Sequence, residues 1–220
     1  MATTLQWDKL DERFFELGVD RGVFYPYTPS TGTYGTGVVW NGLINVTETP
    51  AGGEDNKQWA DNMAYANIRS EIEFEASIEA FTYPLALAEC DGSAQPEEGV
   101  FVGQQRRKAF GFSYRTKIGN ANDNIDHGYK LHMVYAVTPE PTEKARDTIN
   151  DTPEAQTFTW DLKAEKQQVA GLLPTAHITV DSRYADPTAM AALEGILWGT
   201  GTESSTPTLP PPDAVLALFA

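Results

Sequence analysis

Basic residues are scarce in this chain, cysteine is nearly absent, and long apolar runs do not occur. Lysine and arginine total 16 against 31 aspartates and glutamates, for a formal charge of −15. So acidic a surface repels phosphate backbones and anionic membranes, and any nucleic acid nearby is tolerated rather than gripped. The single cysteine, Cys90, excludes an internal disulfide framework and a multi-cysteine metal site, and reads as an inert packed thiol in a reducing compartment. No apolar stretch approaches a membrane span, and the start, Met1-Ala-Thr-Thr-Leu-Gln-Trp-Asp8, lacks a basic region followed by an apolar run. The expectation is a soluble cytoplasmic product without membrane anchoring. Histidine is equally rare: His127, His132 and His177 are too few for most metal sites, and the spacing of the first two puts them on opposite sides of a regular strand.

What is present suits one folded domain with or without arms. The 220 residues are 41% hydrophobic and 11% aromatic, enough to bury a core, and 18 glycines and 14 prolines predict many turns. Between Ser70 and Thr82 the chain alternates: Ile72, Phe74, Ala76, Ile78 and Ala80 fall on one side, and Glu71, Glu73, Glu75, Ser77 and Glu79 on the other. From Lys108 to Ile118, Phe110, Phe112, Tyr114, Thr116 and Ile118 share a face. The Asn/Asp/Gly-rich stretch 120–128 predicts a loop leading to a second strand with Tyr129, Leu131, Met133, Tyr135 and Val137 on one side, making a long antiparallel hairpin. Shorter alternating runs occur at 157–162 and 175–182.

A helix is predicted from Asp186, a cap, through Pro187 and the stripe Met190, Leu193, Ile196 and Leu197, to a stop at Gly199. A second helical turn is predicted over 84–90. The fold class that follows is mainly β, an antiparallel sandwich or barrel with one or two short flanking helices and extended loops or arms. Residues 1–199 form the domain in this reading, with long loops at 25–37 and 45–58. Residues 200–220 form a Pro-rich arm ending in the apolar segment Val215 to Phe219, which docks either on its own domain or on a neighbouring subunit.

No catalytic pattern is assembled. Gly32, Gly35 and Gly37 lack dinucleotide spacing, no lysine follows them to mark a phosphate loop, and the 120–128 stretch lacks the closing glutamate of a calcium loop. The reading is a non-enzyme without cofactor, catalytic residue or metal site. The informative feature is the acidic face of Glu71, Glu73, Glu75 and Glu79, with Arg106, Arg107, Lys108, Arg115 and Lys117 as a basic set in the next long strand region. On pattern alone two accounts stand side by side: pairing between these sets stabilises a sheet, within or between subunits, or the glutamates line a surface over which something negative travels.

Several segments in order resemble the major tail proteins, or tail tube proteins, of long-tailed bacteriophages. They are Gly32-Thr-Tyr-Gly-Thr-Gly-Val-Val-Trp-Asn-Gly-Leu43, Trp59-Ala-Asp-Asn62, Glu79-Ala-Phe-Thr-Tyr-Pro84, Glu89-Cys-Asp-Gly92, Phe110 to Gly119, Asp126 to His132, Asn150 to Ala155, Ala176 to Asp181 and Leu209 to Phe219. The resemblance implies a β-sandwich or barrel, homohexameric rings stacked into a tube, and a virion location after synthesis in the bacterial cytoplasm. It implies as partners further copies of the chain, a tape-measure protein, tip and terminator proteins, and double-stranded DNA that passes without tight binding. It also implies that no residue is catalytic.

Under that resemblance Glu71, Glu73, Glu75 and Glu79 are expected to face the lumen, the five basic residues to act as an inter-subunit counterpart, and Leu209, Val215, Leu216, Leu218 and Phe219, with the 25–37 loop, to make ring-to-ring contacts. Six copies at −15 each carry −90, so apolar and backbone contacts must outweigh strong repulsion and salt is expected to assist assembly. A tube protein of a contractile tail or secretion-type particle is the closest alternative. A β-sandwich binding module for carbohydrate or a virion surface is a further one, and it requires an exposed aromatic platform.

Overall fold

Phe110–Asn120 and Asn124–Pro139, the two strands of the expected long hairpin, pair as an antiparallel ribbon at the centre of the molecule. The computed structural model describes residues 4–146, 148–149, 151–152, 154–201 and 205–220. Residues 1–3, Asn150, Pro153 and 202–204, which belong to the N-terminal, 150–155 and linker segments named above, lie outside the described residues.

In chain order the strands begin with β1 (Phe15–Thr28), β2 (Thr33–Tyr34), β3 (Val38–Trp40) and β4 (Leu43–Glu48). β5 (Ala51–Gly52), β6 (Asp55–Ala60), β7 (Met63–Arg69), β8 (Ile72–Glu73) and β9 (Glu75–Ala80) follow. After the short helix α1 (Leu87–Cys90) come β10 (Ala94–Glu97), β11 (Val100–Val102), β12 (Phe110–Asn120), β13 (Asn124–Pro139), β14 (Phe158–Ala164) and β15 (His177–Asp181). Helices α2 (Pro187–Trp198) and α3 (Pro212–Leu218) complete the chain.

The fold is mainly β and antiparallel. The main sheet runs β2-β1-β12-β13-β14-β9-β4, with β3 added to β1 and β15 to β13. It curls until β4 lies against β1. The inner face wraps one core, including Phe24, Trp40, Ile78, Phe112 and Trp160, which Leu87 and Cys90 of α1 join. Burial pushes the Cys90 thiol up to about 12, so it is an inert packing group. Outside the curl, Val23, Tyr25, Leu131, Met133 and Tyr135 meet Met190, Leu193 and Leu197 of α2 in a second core. Because both faces are covered, β12 is buried on both sides from Phe110 to Tyr114.

Helix α2 starts and stops where its sequence predicts. The Asp186 carboxylate accepts from the amides of Thr188 and Ala189 at 2.9 and 3.0 Å, and Gly199 ends it at φ +83°. The expected 120–128 loop is tighter than predicted: the Asn120 side-chain oxygen accepts from the amides of Asn122 and Asp123, and β13 already starts at Asn124.

Other expectations are corrected. Strand β13 does not keep one phase: Phe110 pairs with Val137 and Phe112 with Val134, so one extra residue is accommodated there, and Ala136 takes φ +44°. Val137 therefore joins the inner core, while Leu131, Met133 and Tyr135 face α2. At the same bulge β13 changes neighbour, pairing with β15 over Lys130–Val134 and with β14 over Val137–Pro139.

The stretch 25–37 is not a long loop. Tyr25 is fully buried, its hydroxyl donating to the Leu197 carbonyl at 2.8 Å, and β1 turns directly into β2. The 45–58 loop is also strand for most of its length. Nor do residues 205–220 form a free arm. Leu209 and Val215 are buried in the outer core, Leu218 and Phe219 pack against it, and Gly37 donates its amide to the Pro207 carbonyl at 2.8 Å. Pro212 opens α3, where a missing amide costs nothing, so the run of prolines starts a helix instead of extending a linker. The apolar tag thus docks on its own domain, and of the five expected ring-contact residues only Leu216 is an exposed large hydrophobic.

Candidate functional site

The alternating run from Ser70 to Thr82 breaks at Phe74, and that break creates the most conspicuous surface of the molecule. On its far side β9 sits in the main sheet between β14 and β4, with Ala76, Ile78 and Ala80 buried. On its near side β8 leaves the sheet to pair with β5, Ala51 opposite Glu73 and Gly52 opposite Ile72. Between these short strands the chain continues outward as a hairpin of β6 and β7, a ladder of its own with Asp55 opposite Arg69 and Ala60 opposite Met63.

Local chemistry explains the shape. Gly52 and Gly53 both take positive φ, and a Cβ at Gly52 would lie 2.2 Å from the Glu71 carbonyl oxygen, so the bend requires glycine there. At the tip, Asp61 and Asn62 take φ +50° and +61°, the paired left-handed conformation of a tight hairpin turn that Asp and Asn tolerate. Near the base the Arg69 guanidinium holds the Asp55 carboxylate at 2.8 Å and lowers its pKa, and the Glu54 amide donates to the Ser70 hydroxyl at 2.9 Å. β6 alone spans about 20 Å at the usual rise of a strand.

Among the described residues nothing covers this hairpin. Every residue of β6 is exposed, and Trp59, Met63, Tyr65, Ile68 and Ile72 are exposed by 59–77%. Trp59 lies opposite Ala64, whereas its sequence neighbour Ala60 lies opposite Met63, so apolar side chains occupy both faces. A two-stranded ribbon is marginal alone in water, and one that shows a tryptophan, a tyrosine and a methionine to solvent is built to be covered. A second small hairpin, β10–β11, exposes Val100, Phe101 and Val102.

The structure separates the residues singled out by charge. Glu71 and Glu73 belong to the base of the projecting hairpin and Glu75 and Glu79 to the main sheet, so there is no single acidic strand face. Glu71 is ion-paired with Lys166 at 2.5 Å and Glu75 with Lys163 at 3.6 Å, which neutralises part of the set from within the chain. The basic residues pair elsewhere: Arg107 with Asp91, Lys108 with Glu89, and Arg115 with Asp20 through two hydrogen bonds of 2.7 and 2.6 Å. Within the chain, Arg107, Lys108 and Arg115 thus pair with Asp91, Glu89 and Asp20 and not with Glu71, Glu73, Glu75 or Glu79.

The hairpin, the feature that dominates the surface, was hidden in the sequence. Its strands are solvated on both faces, so burial imposes no alternation, and only the Asp61-Asn62 dipeptide between two short runs hinted at a turn. Also unforeseen, His132 and His177 meet Glu48 at the root of the hairpin, against the expectation of no metal-competent cluster. His127 is separate, hydrogen-bonded to Asp123 and stacked on Phe14.

No protein-family model matches the chain, and no curated protein matches it. Among solved structures it is similar to a chain in the six-fold symmetrised cryo-EM structure of the anti-feeding prophage baseplate. The identity is 10% and the TM-score 0.35, over 82% of this chain and 97% of that one. A superposition that loose carries no argument about fold or function.

Proposed function

We propose that the protein is a non-enzymatic structural subunit of a phage tail tube, polymerising through its projecting hairpin with further copies of itself. The exposed apolar ribbon of β6 and β7 carries this reading, because it is long, well formed at its turn and bend, and uncovered on both faces. A ribbon of that kind is stabilised when it slots between neighbouring subunits, where both faces and both strand edges find partners. Stacked hexameric rings, as in the tail proteins whose segments this sequence resembles, supply such a slot. A tape-measure protein, tip and terminator proteins and passing double-stranded DNA complete the proposed set of partners, and the virion is the proposed location.

Electron microscopy of the purified chain at raised salt is the direct test, with rings or tubes as the expected result. The double substitution Trp59→Glu with Tyr65→Glu is expected to abolish these assemblies and leave thermal stability within about 0.5 kcal/mol of the parent, since neither residue belongs to a core. Parent protein that stays monomeric at every salt and concentration tried would overturn the reading.

Within such a tube, Glu73 and Glu79, with the partly neutralised Glu71 and Glu75, are the proposed lining of the bore. Like charge in the wall lets DNA slide, whereas lysine would replace its counterions and hold it. Particles carrying all four glutamates as lysine are expected to eject DNA measurably more slowly. Ejection at the parent rate would remove these residues from the bore.

A further inference from the structure

At the root of the hairpin three electron-rich atoms converge from three strands. His132 Nδ1 of β13 and His177 Nε2 of β15 are 3.3 Å apart, and Glu48 Oε1, at the end of β4, lies 3.6 Å from the first and 3.7 Å from the second. A tetrahedral ion with ligands at about 2.0 to 2.1 Å has ligand-to-ligand edges of about 3.4 Å. The three atoms therefore already form one face of such a tetrahedron, without rearrangement of the backbone.

The hydrogen bonds around them orient the donors. Thr116 has one hydroxyl hydrogen, which it donates to Glu16, so it accepts from His132 Nε2 at 3.0 Å. That assigns the ring proton of neutral His132 to Nε2 and leaves the Nδ1 lone pair directed at Glu48 and His177. Tyr114 donates to Glu48 Oε1 at 2.5 Å and stacks on the His132 ring at 4.5 Å. Phe74, where the hairpin rejoins the sheet, packs against His177 at 4.9 Å. Burial, the largest cause, lowers both imidazole pKa values, His132 to about 4. The Thr179 hydroxyl, 3.4 and 3.2 Å from the two ring nitrogens, stands beside the open side of the face.

We propose that Glu48, His132 and His177 bind a divalent first-row transition-metal ion, with zinc as the expected occupant. Two imidazoles and one carboxylate suit that class, whereas calcium and magnesium require oxygen ligands throughout. The ion would clamp β4 to β13 and β15 across the mouth of the curled sheet. Glu48 is the last residue before the hairpin departs and Phe74 the first after it returns, so the clamp sets the base from which the hairpin projects. The inference stands apart from the tail-tube reading, since a monomer could bind the ion equally well.

Titration of the full chain with cobalt(II), read by absorption, tests it. The expected result is one equivalent bound, with the intense visible bands of a four- or five-coordinate ion, and displacement by zinc. His177→Ala and Glu48→Gln, whose positions are partly open to solvent, are expected to abolish these bands while circular dichroism reports an intact fold. Thr116→Val, which removes the partner of His132 Nε2, is expected to weaken binding roughly tenfold to a hundredfold. His127→Ala serves as a control and leaves binding unchanged. Absence of such bands in the parent protein, or equal affinity in His177→Ala, would overturn the assignment.

Discussion

Deletion of residues 208–220 is expected to unfold the protein rather than to yield a folded subunit that cannot polymerise. Leu209 and Val215 are 2% and 1% exposed and belong to the outer core together with Leu193 and Leu197 of α2. Losing a buried aliphatic side chain of this size costs about 2 to 5 kcal/mol, and a domain has only about 5 to 15 kcal/mol in total. The deletion also removes the Thr208 hydroxyl from the Tyr34 carbonyl and the Thr208 amide from the Ile196 carbonyl, two bonds tying the tail to β2 and α2. Thermal unfolding followed by circular dichroism measures the effect. Leu216→Ala, at an exposed position of the same helix, is the control and should melt within about 0.5 kcal/mol of the parent. A deletion that keeps the parental transition would show the tail to be dispensable for folding.

The second large effect is expected at Trp40, where replacement by alanine should cost about 3 to 5 kcal/mol. Its ring is 2% exposed and meets Phe112 and Trp160 edge to face, both at 5.4 Å, while its indole N–H donates to the Thr82 carbonyl at 2.9 Å. Removing it empties the centre of the curl and leaves that carbonyl unpaired. For a chain of this length the loss corresponds to a fall in melting temperature of roughly 6 to 20 °C. Trp59→Ala gives the contrast, because that ring sits on the projecting hairpin, 68% exposed. Its loss should leave melting almost unchanged and impair assembly instead. Equal destabilisation by the two substitutions would contradict the division between core and projecting hairpin.

Where burial acts on one face of a strand, the residues announce the structure. Ala76, Ile78 and Ala80 in β9, Phe110, Phe112 and Tyr114 in β12, and the Asp186-Pro187 start of α2 all stand where their spacing puts them. Elsewhere the physical signal was missing or misleading. β6 and β7 have no buried face, so nothing forces apolar and polar residues to alternate. Tyr25 and Tyr34 lie in a segment dense in Pro, Thr and Gly that looks like a loop, yet both rings pack around the outer core. Pro211 and Pro212 look like linker and instead cap and open a helix. The extra residue at Ala136 moves Val137 to the other face, and no local composition marks it. Glu48, His132 and His177 are distant along the chain and meet only because the sheet curls.

The bulge at Ala136 also divides the molecule's tolerance to change. Upstream of it, β13 is matched to β15 and the helical cover, and downstream it is matched to β14 and the interior. Insertion or loss of one residue before the bulge can be absorbed by moving the irregular point along the strand, leaving the distal half in step. The same slip after it has no such buffer and would turn Val137 out of the interior. Length variation among descendants of this chain should therefore accumulate on one side of that single alanine and be purged on the other.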